Sequence, residues 1–86
     1  MGKNDKVMSE IFSVAGKYIL EGGDIPRMTG DAEQITAIRR ATLASRRLYE
    51  ALCSENATLD TVTTMMEEKR KAAAQFKMIL GRDWRF

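Results

Sequence analysis

The fold is decided by residues 31–55, DAEQITAIRRATLASRRLYEALCSE, which form the longest uninterrupted helical pattern in the chain. No glycine or proline interrupts this stretch, and its five alanines favour helix. Asp31 is placed to cap the first turn. Apolar and small residues recur at the i, i+3, i+7 spacing of a buried helical face. This predicted core face consists of Ile35, Ile38, Ala41, Thr42, Ser45, Leu48, Tyr49 and Leu52.

The opposite face of the same helix carries four arginines. Arg39, Arg40, Arg46 and Arg47 repeat at seven-residue spacing and fall within an arc of about 120°, with Leu43 in its middle. Two interpretations stay open. The arc is either a solvated face with one exposed leucine or a docking face for an acidic or phosphate-bearing partner. Arginine suits docking because its planar guanidinium binds carboxylate and phosphate through two parallel hydrogen bonds.

Two further helices are predicted on either side of this stretch. The first covers about residues 5–21 and ends at Gly22-Gly23, and the third covers about residues 59–80 and ends at Gly81. The short connection over residues 54–58 predicts that the second and third helices form a long antiparallel hairpin. In the loop over residues 22–30, Ile25 and Met28 are expected to cover the core.

Amphipathic patterns predict the core faces of these two flanking helices. The face of the first helix consists of Val7, Met8, Ile11, Phe12, Val14, Ala15, Tyr18 and Ile19. The face of the third consists of Leu59, Val62, Met65, Met66, Ala72, Ala73, Phe76, Ile79 and Leu80. The sequence therefore predicts an all-α protein, a small bundle of three amphipathic helices over about residues 5–21, 31–54 and 59–80. Residues 1–86 are expected to form a single domain.

Residues 82–86, RDWRF, form a short aromatic and basic tail beyond the third helix. Trp84, the only tryptophan, and Phe86 either pack back on the core or are presented to a partner together with Arg85. Tryptophan and arginine are enriched at binding hot spots, which supports the second alternative. Met78 falls on the polar side of the third helix, so it is a further candidate contact.

The sequence lacks the residue patterns of most enzymes. It contains no histidine, which removes the commonest general base and metal ligand. It has no glycine-rich phosphate loop and no dinucleotide-binding fingerprint. Cys53 is the only cysteine and is predicted near the core, where a thiol is usually inert. We therefore expect no catalytic, metal or cofactor site.

The chain has no apolar run near the length of a membrane span and no pattern of a signal peptide. A single cysteine forms no disulfide within the chain and suits a reducing compartment. These features predict a cytoplasmic protein that makes no membrane contact.

Three hypotheses for function follow from this composition. The first is a small non-enzymatic interaction protein that acts as a regulator, inhibitor or adaptor by binding a partner macromolecule, most simply another protein. The second is a nucleic-acid-binding helical-hairpin dimer that uses the arginine face and the basic segment of residues 69–86. The third is a structural subunit of a larger assembly. Self-association is expected because a chain of 86 residues buries only a modest core. The expected contact residues are Arg39, Arg40, Leu43, Arg46, Arg47, Met78, Trp84, Arg85 and Phe86.

Overall fold

The computed structural model of the chain describes residues 3–25 and 30–86, with side chains from residue 6 onward. It contains three α-helices in the order α1 (Lys3–Glu21), α2 (Ala32–Cys53) and α3 (Leu59–Leu80). The described residues contain no strand. Helices α2 and α3 pack closely as an antiparallel hairpin, so the predicted small all-α bundle is confirmed.

Local sequence signals set the ends of the helices. The carboxylate of Asp31 accepts a hydrogen bond from the backbone N–H of Glu33 at 2.8 Å, and the hydroxyl of Thr58 accepts one from the N–H of Thr61 at 3.1 Å. Each cap satisfies a donor that the first turn leaves without a helical partner. Gly81 ends α3 with a φ of 74°, a left-handed conformation that glycine adopts without strain.

Small residues on α2 allow α3 to lie close against it. Ala37, Ala41 and Ala44 are buried, and they form part of the surface that faces α3. The hairpin also buries Ala72 and Phe76 of α3 completely or almost completely. Alanine favours helix and leaves room for a neighbouring backbone, so these alanines both stabilise α2 and allow close contact with another helix.

Helix α1 lies against α2 and runs in the same direction. Met8, near its start, lines one surface depression together with Ile38. Near its end, the carbonyl of Ile19 accepts a hydrogen bond from Arg46. The residues that α1 buries follow one another at intervals of four, three and four, and they are Met8, Phe12, Ala15 and Ile19.

The C-terminal tail packs back between α1 and α3 and completes the core. The indole Nε1–H of Trp84 donates a hydrogen bond to the hydroxyl of Ser45 at 2.8 Å. The Trp84 ring lies 5.0 Å from the ring of Phe76 and 5.6 Å from that of Phe12, measured between centroids. Phe86 lies 5.5 Å from Trp84 in an edge-to-face arrangement. Of the two alternatives for the tail, packing on the core is therefore confirmed.

Several residues predicted in the core are instead exposed. Helix α1 turns one apolar row towards the core and leaves Val7 and Val14 of the neighbouring row exposed. Leu52 and Leu59, at the far end of the hairpin, are exposed as well, and Met66 is exposed beside the tail. The exposed residues are Val7, Val14, Tyr49, Leu52, Leu59 and Met66. The prediction that Cys53 lies near the core is also wrong, because this thiol is exposed at the same far end. Ile25 is half-buried, whereas Met28 lies outside the described residues.

Two positions two residues apart on α3 test this packing. Phe76 is fully buried, so Phe76→Ala should lower the free energy of unfolding by about 3–5 kcal/mol through lost contacts and a cavity. Met78 is 84% exposed, so Met78→Ala should change it by less than about 0.5 kcal/mol. Urea denaturation followed by circular dichroism measures both. Equal effects of the two substitutions would contradict the assigned core face.

Candidate binding groove

A basic groove runs between α2 and α3 on the side of the hairpin away from α1. Its volume is about 660 Å³. Its cationic residues are Arg39, Arg40 and Arg47 of α2 and Lys71 of α3. The arginines span about 12 Å along the helix axis, because each residue of an α-helix rises by about 1.5 Å. Four of the nine predicted contact residues meet here, namely Arg39, Arg40, Leu43 and Arg47.

Most of the cations in the groove have no partner within the described part of the chain. Arg39, Arg47 and Lys71 make no hydrogen bond or ion pair with any described residue. Arg40 differs, because its Nη1 donates to Oε1 of Gln75 on α3 at 2.6 Å. This hydrogen bond fixes one guanidinium at the boundary between the two helices, and the other three charges remain available to an anion.

The floor of the groove is apolar and shallow. Leu43 is half-buried, and Ala44 and Ala72 are buried beneath it. Thr36 and Glu68 complete the lining. The groove thus offers cations around an apolar strip with one carboxylate among them, which suits a ligand that has both acidic and apolar groups.

Arg46 stands at the edge of the arginine arc and faces α1 instead of the groove. Its Nη1 donates to the carbonyl of Ile19 at 2.6 Å, and its Nε donates to Oε1 of Glu50 at 3.1 Å. The last turn of α1 has no basic residue of its own. Arg46 therefore supplies the cation that favours a helix C-terminus and satisfies one of its free carbonyls. Arg46, although it belongs to the predicted contact residues, is thus held against α1 and does not line the groove.

The remaining predicted contact residues also lie apart from the groove. Trp84 and Phe86 pack on the core, as described above. The guanidinium of Arg85 lies 4.6 Å from the centroid of the Phe12 ring, which suits a cation–π interaction that holds the tail on α1. Met78 is largely exposed on α3 but does not line the groove.

Two basic residues elsewhere on α3 are already paired. Arg70 forms an ion pair with Glu67, and the Nζ of Lys77 lies 3.0 Å from a carboxylate oxygen of Asp83. The hydrogen bond from Arg70 lowers the pKa of Glu67 and raises that of Arg70 itself. Exposed pairs of this kind contribute little stability. They do, however, reduce the charge that the basic C-terminal segment offers to an anionic partner.

Sequence reasoning missed the part of the groove that α3 contributes. A helical wheel describes one helix at a time, so it does not show which residue of α3 stands opposite an arginine of α2. Only the register of the hairpin brings Lys71, Glu68 and Gln75 beside the arginines.

Other kinds of site find no support among the described residues. The described residues include no group of three or more metal-binding side chains close enough to hold an ion. None of the three helices is long and apolar enough to cross a membrane. No protein-family model, curated protein or solved structure matches the chain. The groove is therefore interpreted from its own geometry.

The two adjacent arginines should differ in their effect on stability. Arg46→Ala removes a charged donor from a carbonyl at the end of α1, so the free energy of unfolding should fall by about 1.5–3 kcal/mol. Arg47→Ala should change it by less than about 0.5 kcal/mol, since Arg47 is exposed. Urea denaturation measures the free energy of unfolding of both variants. Each variant loses one positive charge, so the change in net charge is the same in the two. A larger loss for Arg47→Ala would contradict the assignment of Arg46 to the α1 contact.

Proposed function

We propose that this chain is a small non-enzymatic interaction protein that binds an acidic segment of a partner protein in the groove between α2 and α3. The observation that carries the proposal is the set of three unpaired cations, Arg39, Arg47 and Lys71, around the half-buried Leu43. Binding to a partner, with no chemical step, fits a role as a regulator, inhibitor or adaptor.

Charge supports an anionic ligand. An arginine without an ion pair can bind a carboxylate with no internal pair to be broken first, and its planar fork adds two directed hydrogen bonds. Arg39 and Arg47 stand about 12 Å apart along α2, so acidic side chains about two helical turns apart would meet both. Complementary charge of this kind contributes chiefly to specificity and to the rate of association.

The apolar floor favours a protein segment over a nucleic acid. Leu43, Ala44 and Ala72 offer a surface against which an apolar side chain of the partner can be buried. A phosphate backbone has no apolar group that this strip could bury. The observed ion pairs of Arg70 and Lys77 also weaken a continuous phosphate track along α3. Nucleic-acid binding is thus the second hypothesis, and assembly as a structural subunit the third.

A reducing compartment, such as the cytoplasm, suits the exposed Cys53. An exposed thiol without a partner in the described chain is prone to oxidation in secreted proteins and persists where thiols are kept reduced. The cytoplasmic placement is part of the proposal.

Charge reversal in the groove tests the proposed function. Arg39→Glu combined with Arg47→Glu should abolish capture of a protein partner from extract, while the helix content and melting temperature stay unchanged because both residues are exposed. The control, Lys6→Glu combined with Arg70→Glu, makes the same change in net charge at exposed positions outside the groove. Capture by immobilised protein, with and without nuclease, is the measurement.

The outcomes separate the hypotheses. A protein that is retained by the wild type and the control variant after nuclease, and lost from the groove variant, supports the proposal. Retention of nucleic acid, lost on nuclease treatment or at high salt, would favour the second hypothesis. Equal capture by the groove variant and the control variant would contradict a role of the groove.

A further inference from the structure

Helix α1 carries two parallel apolar rows. One row is buried in the core, and the other stays partly exposed although its Ile11 packs against the core. The buried row is Met8, Phe12, Ala15 and Ile19. The second row is shifted by one residue and has the same spacing of four, three and four. It consists of Val7, Ile11, Val14 and Tyr18. In this row Val7 is 50% exposed and Val14 is 40% exposed, and the other two are half-buried. Alternating steps of three and four residues are the repeat by which one helix packs against another.

We propose that this second row is a dimer seam, along which α1 packs antiparallel to α1 of a second copy of the chain. With Ile11 beside Val14 of the second copy, Val7 falls beside Tyr18, and every member of the row has an apolar counterpart. The arrangement is isologous, so a twofold axis relates the two copies and the assembly closes as a dimer.

The charges beside the seam are complementary in this orientation. Glu10 and Lys17 both lie on the exposed flank of the row, two helical turns apart. Neither has an ion-pair partner among the described residues of its own chain. Antiparallel packing places Glu10 of each copy near Lys17 of the other, which gives two equivalent pairs. Parallel packing would instead place equal charges at the same height.

The surface beside the seam also has space for the largest side chain of the row. A depression of about 260 Å³ lies next to Val7 and Ile11 and is lined further by Ile35 and Leu80. Because Tyr18 of the second copy falls at the level of Val7, its ring faces this depression. By symmetry the same contact forms twice. The seam includes no residue of the basic groove, so the dimer and the proposed partner binding are independent.

The mass of the protein in solution, measured by light scattering over a range of concentrations, tests the seam. The wild type should be a dimer, and Val7→Lys combined with Val14→Lys should be monomeric with unchanged helix content, since both side chains are exposed. Leu52→Lys combined with Leu59→Lys is the matched control, because it places two lysines on the other exposed apolar region, at the far end of the hairpin.

Charge exchange tests the orientation. Glu10→Lys alone, or Lys17→Glu alone, should raise the dissociation constant of the dimer about tenfold, because two attractive pairs become repulsive. The variant with both substitutions should recover the affinity of the wild type, and an equimolar mixture of the two single variants should form a mixed dimer. A monomeric wild type, single variants with unchanged affinity, or loss of the dimer only in the Leu52/Leu59 variant would each overturn the proposal.

Discussion

The hydrogen bond from the indole of Trp84 to Ser45 closes the core of this protein. Ser45 lies at the centre of the buried face of α2, where a hydroxyl without a partner would cost stability. The tail supplies that partner and brings two aromatic rings with it. Helix α1 packs directly on α2, and its Phe12 reaches the hairpin through a cluster that also contains Trp84 and Phe86. The tail, residues 82–86, therefore acts as a fourth element of a three-helix fold.

This packing decides which surfaces remain for binding. Because Trp84 and Phe86 are needed inside, the tail is not a free aromatic anchor, and Arg85 lies over Phe12. Arg46 is likewise committed to the end of α1. The surfaces that remain outside include the groove between α2 and α3 and the partly exposed apolar row of α1. These surfaces lie on different sides of α2, so one chain can pair with a copy and still present its basic groove.

Local sequence signals predicted the helices well, because caps and helix ends depend on neighbouring residues. Asp31 and Gly81 act at the positions expected of them, and Thr58 caps α3 from the predicted connection. Tertiary contacts were harder to predict from the sequence, because the apolar arc of a helix does not show how much of that arc a neighbouring helix covers. Leu59 matched a core pattern yet is exposed, and no pattern placed Lys71 of the basic segment in one groove with the arginines of α2. The sequence likewise did not show that one of the four arginines of α2 differs from the others. Arg46 differs because it donates a hydrogen bond to the carbonyl of Ile19 in α1.

The central claim, that the tail belongs to the cooperative core, is tested most directly by the fluorescence of Trp84, the only tryptophan in the chain. Urea unfolding should be followed in one sample by tryptophan emission and by far-ultraviolet circular dichroism. The account predicts that native Trp84 is shielded from acrylamide and that both signals change in one coincident transition. Trp84 that is fully quenched in the native protein, or an emission change that precedes the loss of helix, would contradict it.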